Sequence, residues 1–242
     1  MSEQRIPLEK VRALYEKPES MWSVDAWHRH TRARLEQVLA TAALTERHPR
    51  YVLHVGSAGE DYGIQGEGTF HVDVSDAGLR GVHGAIVGDV HTLPIANSAV
   101  DLCVCVGSVI NHCDAAVAIS ELGRVMKDGS WLALEFETSD SWEYLGTSTY
   151  RASAAYASTF YGENESMHLW VYSMKYVSGL LRANGLILKK TLGIHILSTM
   201  AYRLFGGTDF AARLGLADRA LNFVPGLRGG AGNVLILCQK AT

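Results

Sequence analysis

The chain has 242 residues, of which 48% are hydrophobic and 19% charged, a composition that excludes a disordered protein. Its 22 Lys and Arg against 25 Asp and Glu give a net charge of -3, which disfavours nucleic acid as the main partner. The N-terminus has no apolar signal-peptide core, and no stretch reaches the roughly 18 apolar residues of a membrane span. We therefore expect a soluble, cytoplasmic protein that forms a single domain over residues 1–242.

The N-terminal part, residues 1–50, is polar with aromatic side chains at intervals and is predicted to form a helical cap. Apolar runs of strand length follow, at 51–55, 69–74, 84–87, 101–106, 131–136, 186–190 and 233–238. Helical patterns lie between several of them: the one at 114–129 begins at Asp114, a good cap, and the one at 172–185 ends at Gly185. Strands that alternate with helices predict a mostly parallel sheet with helices on both faces.

The four cysteines are expected to be reduced packing residues. Cys103 and Cys105 are two apart on an apolar run, so both would face one side of a strand. No Cys-x-x-Cys pair supports a zinc site, and we expect no metal.

The first predicted strand ends abruptly in small residues. In the stretch "YVLHVGSAGEDYG", the strand is followed without a break by Gly56, Ser57, Ala58 and Gly59. Ligands of open parallel sheets bind outside the carboxyl ends of the strands, and a loop without large side chains lets the backbone approach them. An ordinary tight turn is the alternative interpretation.

Two acidic residues follow the next strands. Asp73, near the end of the second strand, can accept hydrogen bonds from two ribose hydroxyls, or it can serve as a turn residue or helix cap. Asp89 follows the third strand and could accept from an adenine amino group. The two acids together favour a nucleotide-containing ligand.

The order "VLHVGSAG", "VDVS", "VGDVHTLP", "VDLCVCVGSVINH" and "ELGRVMKDGSWLALEFE" resembles the class I S-adenosylmethionine-dependent methyltransferases, in the branch that acts on small molecules. The resemblance covers roughly residues 50–137. It implies a Rossmann-like, seven-stranded, mostly parallel sheet closed by an antiparallel C-terminal hairpin, with 51–137 as the cofactor-binding core. It also implies the cofactor S-adenosyl-L-methionine and the following ligands to it: His54, Gly56, Ser57, Ala58 and Gly59 at the methionine and ribose, Asp73 at the ribose, Asp89 and Val90 at the adenine, and Gly107 and Ser108 beside the sulfonium.

Three departures from the family pattern stand in the same region. His54 occupies a position where relatives often have a carboxylate, Glu60 stands where a glycine is common, and the segment 59–68 is too rich in glycine for a normal helix. His54 would face either the cofactor or the core. These departures keep open a catalytically altered relative that binds or regulates a partner. They disfavour a nicotinamide oxidoreductase, because a dinucleotide needs a helix N-terminus for its pyrophosphate.

On the acceptor side, methyl transfer to oxygen or nitrogen often needs a base. His112, just beyond the fourth strand, is the first candidate. Glu135 and Glu137, which share a face near the end of the fifth strand, are an alternative base or a hydroxyl-binding pair, and Glu137 is the candidate catalytic residue of the two. A packing histidine and solvated carboxylates are the plainer interpretations. Trp22, His28 and Tyr144 are candidate substrate contacts.

Two further segments could cover the site, and we expect them as substrate-side insertions at 138–170 and 193–230. The second is amphipathic, and its pattern leaves open a lid, a contact for an apolar substrate or the face of a homodimer. The expected partner is a small molecule, without nucleic acid or a membrane span.

Overall fold

The computed structural model describes residues 6–15, 22, 25–41, 48–161, 165–206 and 208–242. The strands are β1 Tyr51–Val55, β2 Gly68–Asp73, β3 Ala85–Val87, β4 Val100–Cys105, β5 Met126–Glu137, β6 Ala154–Tyr161, β7 Glu165–Tyr172, β8 Leu186–Ile194 and β9 Asn233–Lys240. The helices are α1 Leu8–Tyr15, α2 Ala26–Thr41, α3 Ala115–Val125, α4 Met174–Ala183, α5 Ile196–Phe205, α6 Thr208–Leu214, α7 Asp218–Leu221 and α8 Pro225–Arg228. All seven apolar runs that the sequence singles out form strands.

Seven strands form one sheet in the order β3-β2-β1-β4-β5-β9-β8. The pairs of β1 with β2 and β4, of β2 with β3 and of β4 with β5 are parallel, whereas β9 is antiparallel to both β5 and β8. This confirms the predicted fold class, including the antiparallel hairpin of the last two strands.

Helices cover both faces of the sheet, as predicted. On one face, α3 and α4 pack with side chains such as Leu53 and Cys103 in one hydrophobic core. On the other face, Leu35 and Leu39 of α2 pack with Val52 of β1 in a second core. Because side chains alternate across a strand, neighbouring residues of β1 serve opposite cores.

The segment between β1 and β2 forms turns, which confirms that it is too rich in glycine for a helix. Tyr62 and Ile64 from this segment are buried in the same core as Leu35 and Leu39 of α2. The N-terminal helix and this loop thus cover together a face of the sheet that lacks its own crossover helix.

Local signals explain where the two crossover helices begin and end. Asp114 Oδ1 accepts hydrogen bonds from the backbone N–H groups of Ala116 (2.9 Å) and Val117 (3.3 Å), so it caps α3 as expected. Gly185 follows α4 with a φ of 71°, in the left-handed region that suits the residue after a helix. The four cysteines are free and buried, as predicted.

The hairpin of β6 and β7 was not predicted as strands, because its first strand is rich in alanine and serine, which have weak strand propensity. Ala157, Leu169 and Val171 form a small buried cluster against which Tyr144 packs. The predicted 138–170 insertion therefore contains a β-hairpin that supports the wall of the site. No helix in the described part of the chain is long and apolar enough to cross a membrane.

Candidate active site

The strand order reverses between β1 and β4, and the carboxyl ends of β1, β2, β4 and β5 meet at this point. The loop at 56–59 follows β1, Asp73 ends β2, Gly107 and Ser108 follow β4, and Glu137 ends β5. Most of the residues expected to bind cofactor and substrate are therefore brought to one edge of the sheet.

The glycines of the first loop are required by the protein's own packing. Gly56 has a φ of 66°, and a Cβ there would lie 2.4 Å from Cγ2 of Val109. Gly59 has a φ of 84°, and a Cβ there would lie 2.8 Å from the carbonyl oxygen of Gly78. Both positions need glycine whether or not a ligand is bound, so the loop alone does not identify a cofactor.

Asp73 braces this loop from the end of β2. Its Oδ2 accepts a hydrogen bond from the Ala58 N–H (2.8 Å), and its Oδ1 accepts from the Ser75 N–H (2.9 Å). Burial raises the pKa of Asp73, and these backbone donors partly oppose the rise. Each oxygen retains acceptor capacity, because a carboxylate oxygen can accept more than one hydrogen bond.

His54 is fully buried, at 0% exposure, on the side of β1 that faces α2. Its Nε2 lies 2.9 Å from the carbonyl oxygen of Ile64, so Nε2 carries the proton and donates. Its ring stacks on His71 with 4.9 Å between centroids, and Nδ1 is a buried acceptor with no hydrogen-bond partner in the described structure. Burial lowers the pKa of His54 to about 4. This environment agrees with the alternative in which His54 faces the core. Contact with the cofactor stays a prediction, and only Nδ1 could make that contact.

Glu60 has a partner that explains its place in the loop. Arg32 of α2 donates from Nη2 to Glu60 Oε2 (2.9 Å) and from Nε to Glu36 (2.9 Å). The residue that replaces a common glycine thus ties the first loop to the N-terminal helix.

Asp89 and Val90 follow β3, where the resemblance places the adenine. Asp89 Oδ1 accepts from the backbone N–H of His91 (2.9 Å) and from its ring Nδ1 (2.7 Å). The ring Nε2 accepts from the Asp114 N–H (3.0 Å), so His91 is the Nδ1–H tautomer. This chain links the adenine side to the first turn of α3, and the adenine contact of Asp89 and Val90 stays a prediction.

Glu135 holds the loop after β4 in place. Its Oε2 accepts from the N–H groups of Gly107 (2.7 Å) and Ser108 (2.8 Å), and its Oε1 accepts from Asn233 Nδ2 (2.7 Å). The side chain is fully buried, and burial raises its pKa. Ser108 has a φ of 58°, and these bonds help to fix that strained conformation. Glu135, named with Glu137 as an alternative base, is instead occupied on both oxygens by the fold.

Glu137 is different, because it is only half-buried and its side chain accepts a hydrogen bond from Ser108, whose Oγ donates to Oε1 (3.2 Å). Burial, followed by the nearby Glu143 and Glu135 carboxylates, raises the pKa of Glu137 to about 8. Asn111 fixes the backbone here: it donates to the Glu137 carbonyl and accepts from the Glu137 N–H, each at 2.9 Å.

His112 ends a short 3-10 helix that follows the β4 loop and is buried. Its Nε2 lies 3.1 Å from the hydroxyl of Tyr15, the last residue of α1, and the two rings meet edge to face. Burial lowers the pKa of His112 to about 4. Burial, then the charges of Asp73, Glu137 and Glu135, raises the pKa of Tyr15, so this hydroxyl stays protonated. Sequence reasoning missed Tyr15, and only its place among the spaced N-terminal aromatics pointed to it.

An aromatic roof of Tyr15, Trp22 and Tyr62 covers the loop after β4. A Cβ built on Gly107 would lie 3.2 Å from the Trp22 ring and 3.8 Å from the Tyr62 hydroxyl. The Tyr62 hydroxyl accepts a hydrogen bond from Trp22, and their rings meet edge to face at 6.4 Å. Gly107 therefore faces Trp22 and Tyr62, which border the core beneath α2, and contact of Trp22 with substrate stays a prediction.

The outer wall lies beyond β5. Glu143 and Tyr144 share a 3-10 turn, and a side-chain hydrogen bond joins them. Burial, then Glu143 and Glu137, raises the pKa of Tyr144, which places its hydroxyl near both carboxylates. His28 lies elsewhere, in the first turn of α2, where its Nδ1 pairs with Asp25 (2.9 Å), so its contact with substrate stays a prediction.

The site fits S-adenosylmethionine by the chemistry of its groups. A buried carboxylate with spare acceptor capacity suits ribose hydroxyls, and the unpartnered Nδ1 of His54 is an acceptor of the kind that an ammonium group needs. The crossover between β1 and β2 has no helix N-terminus that would bind a pyrophosphate. S-adenosylmethionine contains no pyrophosphate, so the absence of this helix N-terminus disfavours a dinucleotide cofactor and not S-adenosylmethionine.

A family model described as a methyltransferase domain matches residues 63–134, which include Asp73, Asp89, Gly107 and His112. A search of the curated proteins finds no significant match.

Solved structures share the fold at low sequence identity. A putative S-adenosylmethionine-dependent methyltransferase from Listeria monocytogenes superposes with a TM-score of 0.59 at 10% identity, over 87% of this chain and 100% of that one. The 1,6-didemethyltoxoflavin-N1-methyltransferase of Burkholderia thailandensis, solved with 1,6-didemethyltoxoflavin and S-adenosylhomocysteine, gives 0.57 at 10% identity, over 97% and 87% of the two chains. The cyclase SpnF gives 0.53 at 18% identity, over 98% and 92%. The family model therefore matches a methyltransferase domain over residues 63–134, and the solved structures show that the chain shares the fold of S-adenosylmethionine-dependent methyltransferases.

Proposed function

We propose that the enzyme methylates an oxygen or a nitrogen of a small molecule, and that a proton relay through Tyr15 and His112 prepares the acceptor. The observation that carries the proposal is the 3.1 Å contact between the Tyr15 hydroxyl and His112 Nε2, beside the loop after β4 and under the aromatic roof. Bound S-adenosylmethionine supplies an electrophilic methyl group, so the protein must orient the acceptor and remove its proton.

The relay follows from the protonation states of the two side chains. His112 is neutral above about pH 4 and can take a proton at Nε2, while the Tyr15 hydroxyl, with its raised pKa, is protonated and donates to that atom. An acceptor hydroxyl or amine next to Tyr15 would give its proton to the phenol oxygen as the phenol proton moves to Nε2. Burial of both groups under the roof would keep water from competing.

Glu137 gives the alternative base. With a pKa of about 8 it is mostly protonated near neutral pH, where it would donate a hydrogen bond to the acceptor, and it could remove a proton only at higher pH. The two bases therefore predict different pH profiles: turnover limited by His112 is level from about pH 6 upward, whereas turnover limited by Glu137 rises through about pH 8.

In this proposal, Asp73 binds the ribose of the cofactor, and Asp89 and Val90 bind its adenine. The loops at 56–59 and 107–108 bind the remaining part of the cofactor. Trp22 and Tyr144 lie on the acceptor side. The supporting feature is the convergence of these loops at the point where the strand order reverses.

A second candidate function is a protein that keeps the fold and the cofactor site but uses them for other chemistry. The buried His54 in place of a carboxylate and the Glu60 ion pair with Arg32 favour it, and the fold match to a cyclase is compatible with it.

Calorimetry with S-adenosylmethionine, S-adenosylhomocysteine and NAD tests the cofactor, and transfer of a labelled methyl group to fractions of a metabolite extract tests the reaction. We expect binding of the first two ligands but not NAD, and one labelled small product. His112→Ala should lower turnover by about 10²–10⁴-fold with nearly unchanged cofactor affinity. Tight cofactor binding with no labelled product in any fraction would support the second candidate. Turnover of His112→Ala within a few-fold of the parent would leave Glu137 as the base.

A further inference from the structure

We propose that the turn between α5 and α6 docks this protein on the surface of an anionic lipid bilayer. The docking surface is an apolar tip formed by Leu204, Phe205 and Phe210. These side chains are 64%, 72% and 53% exposed, although large apolar side chains are usually buried. The rings of Phe205 and Phe210 meet edge to face with 5.9 Å between centroids, so the two aromatics form one compact projection.

The position of the tip makes it a surface feature rather than part of the core. α5 ends at Phe205, Gly206 follows with a φ of 66°, and α6 begins at Thr208. The helix pair packs inward through Ile196, Ala201 and Ala211, which are buried. Leu204, Phe205 and Phe210 lie outside this packed side, so the core of the helix pair does not account for them.

Charge selects a lipid surface among the possible occupants. The sequence from 196 to 228 contains four arginines and two aspartates, whereas the whole chain has a net charge of -3. One of the aspartates, Asp218, is buried and accepts from the backbone N–H groups of Ile196 (2.9 Å) and Leu197 (3.0 Å), so it adds little charge to the surface. Exposed Arg203 and Arg213 flank the tip, together with the exposed Asp209 beside Phe210, so arginine is in excess there.

Exposed phenylalanine and leucine beside arginine is the combination that binds at the interface of anionic bilayers. A second copy of the chain is less favourable as the occupant, because a symmetric contact would bring together the excess positive charge of this segment from both copies.

The tip is continuous with the acceptor wall of the site. Arg203 Nη1 donates to the carbonyl oxygen of Glu143 (2.8 Å), and Tyr202 lies close enough to raise the pKa of Tyr144. Docking would hold this wall beside the bilayer, which, given the proposed function, favours an acceptor that partitions into lipid.

Co-sedimentation with vesicles tests the docking without cofactor or acceptor, so its failure is separate from a failure of the proposed function. The vesicles are phosphatidylcholine alone or phosphatidylcholine with one-third phosphatidylglycerol. We expect the full chain to bind the anionic vesicles at low salt. Phe205→Ser/Phe210→Ser should weaken binding by about tenfold or more, and Arg213→Gln should weaken it by a smaller factor.

Val117→Ser is the matched control, because Val117 is also exposed but lies on α3, and it should bind as the parent does. Three results would overturn the proposal: no binding of the parent to anionic vesicles, equal binding of the double variant, or elution of the parent as a dimer that the double variant converts to monomer. The last result would assign the tip to a second copy of the chain.

Discussion

Replacing Glu135 by alanine should destabilise the protein strongly, because this carboxylate is the acceptor for three donors of the fold. Its removal leaves the N–H groups of Gly107 and Ser108 and the Nδ2 group of Asn233 without their partner. Hydrogen bonds to charged groups are worth about 1.5–3 kcal/mol each, and leaving buried donors unpaired adds a penalty. The raised pKa of Glu135 records an opposing cost of burying the charge. We therefore expect a net loss of about 3–5 kcal/mol in the free energy of unfolding.

Glu135→Gln separates the loss of charge from the loss of the acceptor. Its amide oxygen can still accept from Gly107 and Ser108, and its amine can face Asn233 if that amide turns its own oxygen inward. The glutamine variant should lose about 1–2 kcal/mol, clearly less than the alanine variant. Urea unfolding followed by circular dichroism measures both values. A loss below 1 kcal/mol for alanine would refute the bracing role, and a glutamine variant with parental stability but no turnover would return Glu135 to the list of bases.

Three further changes test the remaining groups of the site. Asp73→Asn should weaken S-adenosylmethionine binding by about 1.5–3 kcal/mol in calorimetry, while Asp76→Asn, on the exposed turn that follows, should not; equal affinities would remove Asp73 from the ribose. Glu137 has its folded pKa raised from 4.5 to about 8, so its contribution to stability is complete below pH 4.5 and is lost as the pH rises through 8. Urea unfolding at pH 6 and pH 9 should show a decline on the order of 2 kcal/mol in the parent that Glu137→Gln reduces; an equal decline in both would point to another group. Cofactor affinity should be level from pH 5.5 to 8, because burial lowers the pKa of His54 to about 4 rather than leaving it near 6.5, and His54→Asn should mainly lower stability; a slope near pH 6.5 that the variant abolishes would contradict this.

The sheet was predictable because its central strands are largely buried on both faces and therefore appear as short apolar runs. The weak helix after β1 was also predictable, since Gly59, Gly63 and Gly66 are visible in the sequence. The β6–β7 hairpin was not, because it lies outside the main sheet and is held by a small cluster of its own with Tyr144. Its stability comes from tertiary contacts that local propensity does not contain.

The positions of the acidic site residues were predictable, but their roles were not. Asp73 lies at the carboxyl end of β2, and Glu135 and Glu137 lie near the carboxyl end of β5, which the alternation of strands and helices already indicates. Which oxygens are occupied depends on Asn233, 98 residues from Glu135, and on the backbone of the β4 loop. Sequence spacing contains no information on such long-range hydrogen bonds.

The aromatic residues of the N-terminal roof show the same limit of prediction from sequence. Tyr15 approaches His112 across 97 residues, and Trp22 lies over Gly107, yet neither contact follows from periodicity. The sequence gives only an excess of aromatic residues in a polar helical segment, which a helix packed on the edge of the sheet would explain equally well.

The number of hydrogen bonds that each site side chain makes within the fold indicates which side chains can take part in chemistry. A group whose acceptor positions are all occupied by the protein cannot change partners when a ligand binds without breaking those bonds. Glu135 approaches this state with three donors, two of them on Oε2, whereas Asp73 accepts one backbone donor on each oxygen. Glu137 and the Tyr15–His112 pair have fewer ties to the backbone and pKa values moved by burial, which leaves them able to exchange a proton with an acceptor. In the proposed function, this division gives different purposes to two carboxylates only two residues apart on β5: Glu135 holds the loop, and Glu137 would face what the loop binds.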